Sequence, residues 1–501
     1  MMPRRRNIDA SRIRARAHGL LGALAILGAA SQAAAAGTAL DVQSARCTGM
    51  AAACTSAVDD ATAIFYNPAG ITQGKPLDAE IGVSLIDPEI RFKDNAGNVT
   101  QMPFRVIPPV TAYVTGHITR DLTIGVGEFT PYGLAIGWPA GWEGRSEATS
   151  ATLRSFDFNP TIAYRFGPVR LGAGFQLVRS TIELQKDIAF GSQYGSVDLG
   201  AGAWGVGANG GVQVDVFRKL LTLGATYRSA VHFNFDGHAH FDNVPATFAP
   251  IFYDQPATTQ LTNPDQIGLG VSSRPIDTLL LDFDVVWTGW SKFRSINIDF
   301  PDDTSHSLSN SEPKNWHDTV NYHLGAEGII GRSWRIRGGV LYDPTPSPDD
   351  TLAADLPDAT RLTLAVGGGY VHECGIRVDV AYQILILFNH VSTWPTLPGQ
   401  YGGEVNVLGI SIGYALPERR PVGPPPATEP AAGPGSVPLS APPAASPPAP
   451  VPSAPTAPPT SPPVQTPPAP PSEGATPPVP AGSTPPGGVE PGGPTGSKPV
   501  P

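Results

Sequence analysis

The chain lacks any apolar run long enough to cross a bilayer as a helix, for which about 20 residues are needed. Its most apolar stretch, residues 20–30, follows Arg4, Arg5, Arg6, Arg12, Arg14 and Arg16 and precedes Ala34, Ala35 and Ala36. A basic head, a short apolar core and a small-residue cleavage site make 1–36 a secretion signal rather than an anchor. A helical membrane protein is thereby excluded. A membrane β-barrel is not, because every second residue of its strands faces inward and the hydropathy signal is weak.

Cysteine is scarce, with only Cys47, Cys54 and Cys374. No His/Cys spacing resembles a zinc site. In an oxidising compartment Cys47 and Cys54 are candidates for a small disulfide. Basic excess is also missing: the net charge is −10, and the signal, with six Arg and Asp9, supplies +5 of it, which leaves −15 on the mature part. Nucleic-acid binding needs a basic patch, so it is not expected. His317, Asp318, His323 and assorted serines form a triad only on paper, since no nucleophile motif accompanies them. An enzyme is not expected, nor is any cofactor. No energy-coupling box is evident, so transport would run down a gradient.

What the chain does have is a rhythm of connectors. Short ones at 117–121, 165–170, 215–219, 273–277, 331–333 and 372–375 alternate with long ones. The long ones, at 88–105, 131–150, 186–200, 236–263, 297–316, 343–359 and 388–403, are rich in Pro, Gly, Asp and aromatics. About fourteen strand-like stretches lie between them. Turns short at one end and loops long at the other are the mark of a closed transmembrane β-barrel.

Side-chain alternation agrees. Leu279, Leu281, Phe283, Val285 and Trp287 share one face, and Asp282, Asp284, Thr288, Lys292 and Arg294 the other. Ile376, Val378, Val380, Tyr382 and Ile384 likewise oppose Arg377, Asp379 and Gln383. Apolar faces ending in Trp or Tyr fit lipid, and the charged faces fit a polar lumen. Four parts follow: a signal (1–36), an N-terminal segment (37–77), a barrel (78–416) and a tail (417–501). The tail holds 32 of the 56 prolines. It is expected to be extended or disordered in the periplasm, within reach of the cell wall or a periplasmic protein.

Residues 44–71, SARCTGMAAACTSAVDDATAIFYNPAGI, carry an acidic pair, small residues, an aromatic pair and Asn-Pro-Ala. This resembles the N-terminal hatch of the FadL/TodX family of outer-membrane transporters of hydrophobic compounds. LGATYRSAV (223–231), PDQIGLGVSSRP (264–275), DVVWTGWSKF (284–293) and NWHDTVNYHLGAEG (315–328) resemble successive strand signatures of that family.

The resemblance implies a 14-stranded antiparallel barrel with a hatch of short helices inside its lumen. It implies passive uptake of hydrophobic small molecules, by default long-chain fatty acids, with aromatic hydrocarbons or alkanes fitting the same pocket. Ligand would be caught by outer loops, held in an apolar lumen pocket and released sideways at a kinked third strand. The protein would be a monomer in outer-membrane lipid and lipopolysaccharide. The family core falls on Asp59, Asp60, Phe65, Tyr66, Asn67, Pro68 and Ala69, which are the expected gate.

Lateral release needs a break in the strand ladder. Proline cannot donate to a ladder and glycine permits a bulge, which directs attention to Gly127, Phe129, Pro131, Tyr132 and Gly133. Leu134, Trp138 and Trp142 in the following loop are candidates for the capture groove. Arg179, Lys292 and Arg294 are candidate inward cations for a carboxylate. A hydrophilic diffusion porin is the competing function, against which a plug of about forty residues argues.

Overall fold

The computed structural model describes residues 37–217, 220–303 and 308–417. The expected signal and, apart from Pro417, the expected tail lie outside the described residues.

Twenty strand segments build one antiparallel sheet closed into a 14-stranded barrel. The first two wall strands are β1 (Leu77–Asp94) and β3 (Val110–His117), with a short β2 (Val99–Gln101) against the outer end of β1. The third wall strand is broken into β4 (Leu122–Phe129) and β5 (Gly133–Gly137). Next come β6 (Ser150–Phe166), β7 (Val169–Phe190) and β8 (Gln193–Val216). The seventh wall strand comprises β9 (Leu221–Arg228) and β10 (Val231–Asp242), and the eighth β11 (Gln255–Asn263) and β12 (Gln266–Ile276). β13 (Leu279–Thr288) follows, then an outer hairpin of β14 (Ser295–Asp299) and β15 (Asn310–Pro313). The wall ends with β16 (Thr319–Ile330), β17 (Trp334–Asp343), β18 (Arg361–Val371), β19 (Ile376–Ser392) and β20 (Gly399–Ala415). β20 pairs with β1 from Asp78↔Ala415 to Asp94↔Gly399 and closes the ring.

Alternation decides which way each side chain points. Leu324 is 57% exposed on the outer wall, beside its cross-strand partners Phe283 and Val340, also exposed. Its neighbour His323 is 3% exposed and faces the bore. Asp282, Asp284, Arg337 and Asp379 are buried inside in the same way. The apolar rows wrap the cylinder and the ionic rows line it.

Short connections stand at 118–121, 167–168, 331–333 and 372–375, with Cys374 exposed in the last. One expected long loop is not a loop. Residues 186–200 are the outer ends of β7 and β8, joined by a tight turn at 191–192 in which Gly191 has φ +69°. Above the lipid the two faces of a strand no longer differ in solvent, so alternation fades while ladder pairing continues. Residues 88–94 continue β1 for the same reason, and 297–316 contain the β14–β15 hairpin.

Inside the wall sit two short helices, α1 (Ala45–Thr48) and α2 (Ala63–Tyr66), and a 3-10 helix, Pro68–Gln73. One apolar cluster surrounds α2 with Ile64, Ile71, Tyr113 and Phe129. A larger one fills the outer end of the barrel, from Leu40 and Phe92 to Trp138, Trp142 and Tyr401.

Candidate functional site

The third wall strand is interrupted at Thr130, Pro131 and Tyr132, and at this point it changes partner. Below the break β4 pairs with β3, from Ala112↔Glu128 to His117↔Thr123. Above it β5 keeps β6 on one side, but on the other it meets the N-terminal segment instead of β3. Leu40 donates to the Pro131 carbonyl at 2.8 Å, Gly133 donates to the Thr38 carbonyl at 2.8 Å, and Ala39 bridges Tyr132. Pro131 has no N–H to donate to a neighbouring strand, which weakens the ladder at this point. Residues 38–40 therefore occupy the gap that the second wall strand leaves open.

The rest of the hatch is fastened below. Cys47 and Cys54 are joined by a disulfide. Asp284 accepts the backbone N–H groups of Cys54 and Thr55 at 2.8 Å each, and Asp282 accepts the Ser56 hydroxyl at 2.6 Å. Asn67 is fully buried. Its amide donates to the carbonyls of Thr55 (2.8 Å), Val212 (3.1 Å) and Ala225 (3.3 Å), which ties it to β8 and β9. Its oxygen accepts Ala69 N–H at 3.2 Å and starts the 3-10 helix, with Pro68 where a missing N–H costs nothing.

Wall glycines clear the space. A Cβ on Gly172 would overlap the backbone of Pro68 and Ala69, and one on Gly211 would overlap the Asn67 oxygen. Phe65 packs edge-on against Phe129 at 5.2 Å. The Tyr66 hydroxyl donates to the Asp41 carbonyl at 2.8 Å, below the residues that fill the gap.

The acidic pair belongs to an ionic lock. Arg46 of α1 contacts Asp59 at 2.6 Å, Asp60 at 2.8 Å and the wall residue Glu327 at 3.4 Å. Asp59 also reaches wall Arg274 at 3.6 Å, and Asp60 accepts the Thr62 N–H at 3.0 Å. Burial alone would raise the Asp60 pKa, but Arg46 and Arg377 outweigh it and hold the carboxyl well below its usual range.

Above the hatch lies an apolar cavity of about 970 Å³, open mouth included. Leu153, Leu184, Leu199, Leu261, Trp290 and Phe293 are among its walls. Thr38 and Leu134 line it too, so it borders both the broken strand and the segment that fills the break. Two further cavities, about 630 and 530 Å³, continue toward the hatch and share Gln266 and Asn321. Their walls turn polar, with Asp343, Arg361 and Gln383 around one and Arg228 and His323 around the other.

Several expected residues fall elsewhere. Trp138 and Trp142 do not form an exposed groove. They stack at 4.3 Å, both buried, and their indole N–H groups donate to Ala354 (3.0 Å) and Ala148 (2.8 Å) carbonyls. Pro- and Gly-rich sequence marked a loop, and the cap folding over it buried the rings. Only Leu134 of that trio lines the pocket. Arg179 does not face the lumen. It alternates with inward Val178 and Ser180, pairs opposite the exposed Trp204 and lies 5.6 Å over that ring. Lys292 sits in a 3-10 turn beyond the end of β13, ion-paired with Asp265, and Arg294 is exposed just after it. Neither lines the apolar cavity among the described residues. His323 forms no triad: Nδ1 donates to the Ala51 carbonyl at 2.8 Å and Nε2 lies 3.1 Å from Asn321.

Other residues are important without having been singled out. Arg228 donates to the Phe65 carbonyl at 2.9 Å, lies 4.8 Å over the Phe65 ring and 5.4 Å over Phe129, and pairs with Asp157 at 3.5 Å. Its inward position on an alternating strand was the available signal. Gln43 had none, since Thr130 is distant in sequence; for Arg46 the signal was the acidic pair Asp59 and Asp60 within the same segment.

Known proteins agree with this architecture. The chain is 23% identical over 401 residues to the long-chain fatty acid transport protein of Escherichia coli O6:H1, covering 72% of this chain and 89% of that protein. The solved Pseudomonas aeruginosa FadL homologue superposes with a TM-score of 0.69 at 18% identity, over 76% of this chain and all of that one. The toluene transporter TbuX of Ralstonia pickettii superposes with 0.58 at 18% identity, over 74% and 98%. These structural likenesses speak for the fold. Residues 26–415 match the family described as outer membrane protein transport protein (OMPP1/FadL/TodX), and the chain belongs to that family of bacterial outer-membrane transporters of hydrophobic compounds.

Proposed function

We propose that the protein carries hydrophobic compounds passively into the outer membrane through the apolar cavity and out through the break in the third wall strand. One observation carries this reading: a single cavity is lined both by Leu134, just after the break, and by Thr38, which fills it. Residues that fill the gap can therefore respond to what fills the pocket.

The reading follows from solvation. A water-filled pore offers an apolar molecule no affinity, whereas a dry pocket does. Below the pocket the walls become ionic and the hatch closes the lumen, so continuing downward would return the ligand to polar surroundings. Moving sideways keeps it in hydrocarbon. The hatch element to be displaced is short: residues 38–40 hold the broken strand by two backbone hydrogen bonds, which together make the Ala39–Tyr132 bridge.

The capture surface is the outer ends of β7 and β10 with the loop that follows β10, where Phe190, Phe241, Phe248 and Phe252 cluster, leading to Leu199 and Ala257 of the pocket. Tethering Ala39 to Tyr132 by a disulfide (Ala39→Cys with Tyr132→Cys) tests the exit. Uptake of a hydrophobic tracer by a deletion strain carrying the double variant should stop, and reductant should restore it. Uptake at the full rate with the tether verified would remove the lateral route.

A further inference from the structure

The ionisable groups around the apolar cavity are unevenly signed. Among the described residues its wall includes neither lysine nor arginine; of its ionisable members Asp355 is buried, while Glu183 and His238 are exposed on the outward parity of their strands. The strongest buried cation nearby stands behind that wall and is already spent. Lys314 is 1% exposed, and its ammonium is held by both oxygens of Asp355, at 2.9 and 3.0 Å, and by Glu312. One cation between two carboxylates leaves the cluster negative. Glu183 lies 3.4 Å from Arg154, an exposed pair on the outer reach of the wall, where solvent screens it.

A carboxylate entering this cavity would give up its hydration and meet no free counter-charge. Stripping an ion of water without a partner costs far more than stripping a neutral group, so the group takes up a proton instead. The Lys314 ammonium does not change this. Burial would lower its pKa, but Asp355 and Glu312 raise it, so it stays charged and committed to them.

Resting on the transport reading above, we propose that this pocket accepts its ligand only uncharged: hydrocarbons, alcohols and esters, and a fatty acid only as the protonated acid. Fatty-acid uptake would then be governed by the acid–base state of the ligand, with the protein supplying shape and dryness but no head-group clamp.

The experiment is displacement of labelled 1-hexadecanol from the full chain in neutral detergent micelles by methyl palmitate and by palmitate. At about pH 8.5 palmitate should need at least about tenfold more than its ester, and the gap should close as pH falls through the carboxyl's own pKa and the acid protonates. His238 borders the cavity, so the series is repeated with His238→Gln, in which the gap should close equally. Palmitate matching the ester at the higher pH would overturn the proposal. So would a gap that persists in acid, or one that needs His238 to close. Saturable binding should be lost in Ala201→Trp, which fills the cavity. If hexadecanol binds that variant normally, or never saturates on the unsubstituted chain, the pocket itself is wrongly placed, and the charge argument falls with it for a separate reason.

Discussion

Gln43 and Thr130 are joined as if they were neighbours on adjacent strands. The Gln43 amide donates to the Thr130 carbonyl at 2.6 Å, and the Thr130 N–H donates to the Gln43 oxygen at 3.1 Å. A side-chain carboxamide has the donor and acceptor of a peptide group, so Gln43 stands in for the missing ladder where the third wall strand breaks. Both residues are buried. Gln43 also donates to the Leu40 carbonyl at 2.9 Å, which couples the break to the residues that fill it.

Gln43→Ala should leave the Thr130 backbone unpaired, at about 1–3 kcal/mol. Amide exchange at Thr130 and Leu40 should quicken while exchange along the β1–β20 seam stays slow. Equal protection of Thr130 in variant and parent would show that the carboxamide does not hold the break.

Gly172→Ala places a methyl group in the backbone of Pro68 and Ala69, which cannot rotate aside. The hatch should shift while the barrel still assembles. Heat-modifiable migration in gels would be retained and single-channel ion conductance would rise. A quiet channel would mean that the hatch tolerates the intrusion.

The Arg46–Asp60 lock has a defined pH dependence. The Asp60 carboxyl is held below its usual range, so its contribution is present above the unfolded value, about 3.9, and is lost only as pH falls through the lowered one. Hatch protection against protease should therefore stay flat from neutral pH to about pH 4. In Arg46→Ala, burial acts unopposed by Arg46, and protection should fall at milder acidity. A parent hatch that loosens near pH 5–6, about where histidine titrates, would point to another group.

The outer wall offers a test of membrane placement. Leu324→Arg, between Phe283 and Val340, should cost about 2–4 kcal/mol of folding free energy in lipid vesicles, whereas a bore-facing change follows no such rule. Tolerance of arginine there would argue against lipid contact.

The barrel and its strand number were readable in the chain because they rest on local order, whereas the hatch was legible only through the resemblance of residues 44–71 to a family motif. Lipid on one face and a polar bore on the other write themselves into every second residue, as at Leu281 and Asp282. A proline at 131 removes a ladder donor wherever it stands. Contacts between distant segments leave no such trace. Nothing near Trp138 announces that Ala354 will cover it. Arg179 looked like a lumen cation until its strand's parity, set by pairing with β8, turned it outward. Gln43 acquires its role only by meeting Thr130, and Lys314 gains its second carboxylate only because Asp355 folds onto it. Periodicity is a property of a segment and its solvent, whereas burial and partnership belong to the closed cylinder, where residues hundreds apart share one wall.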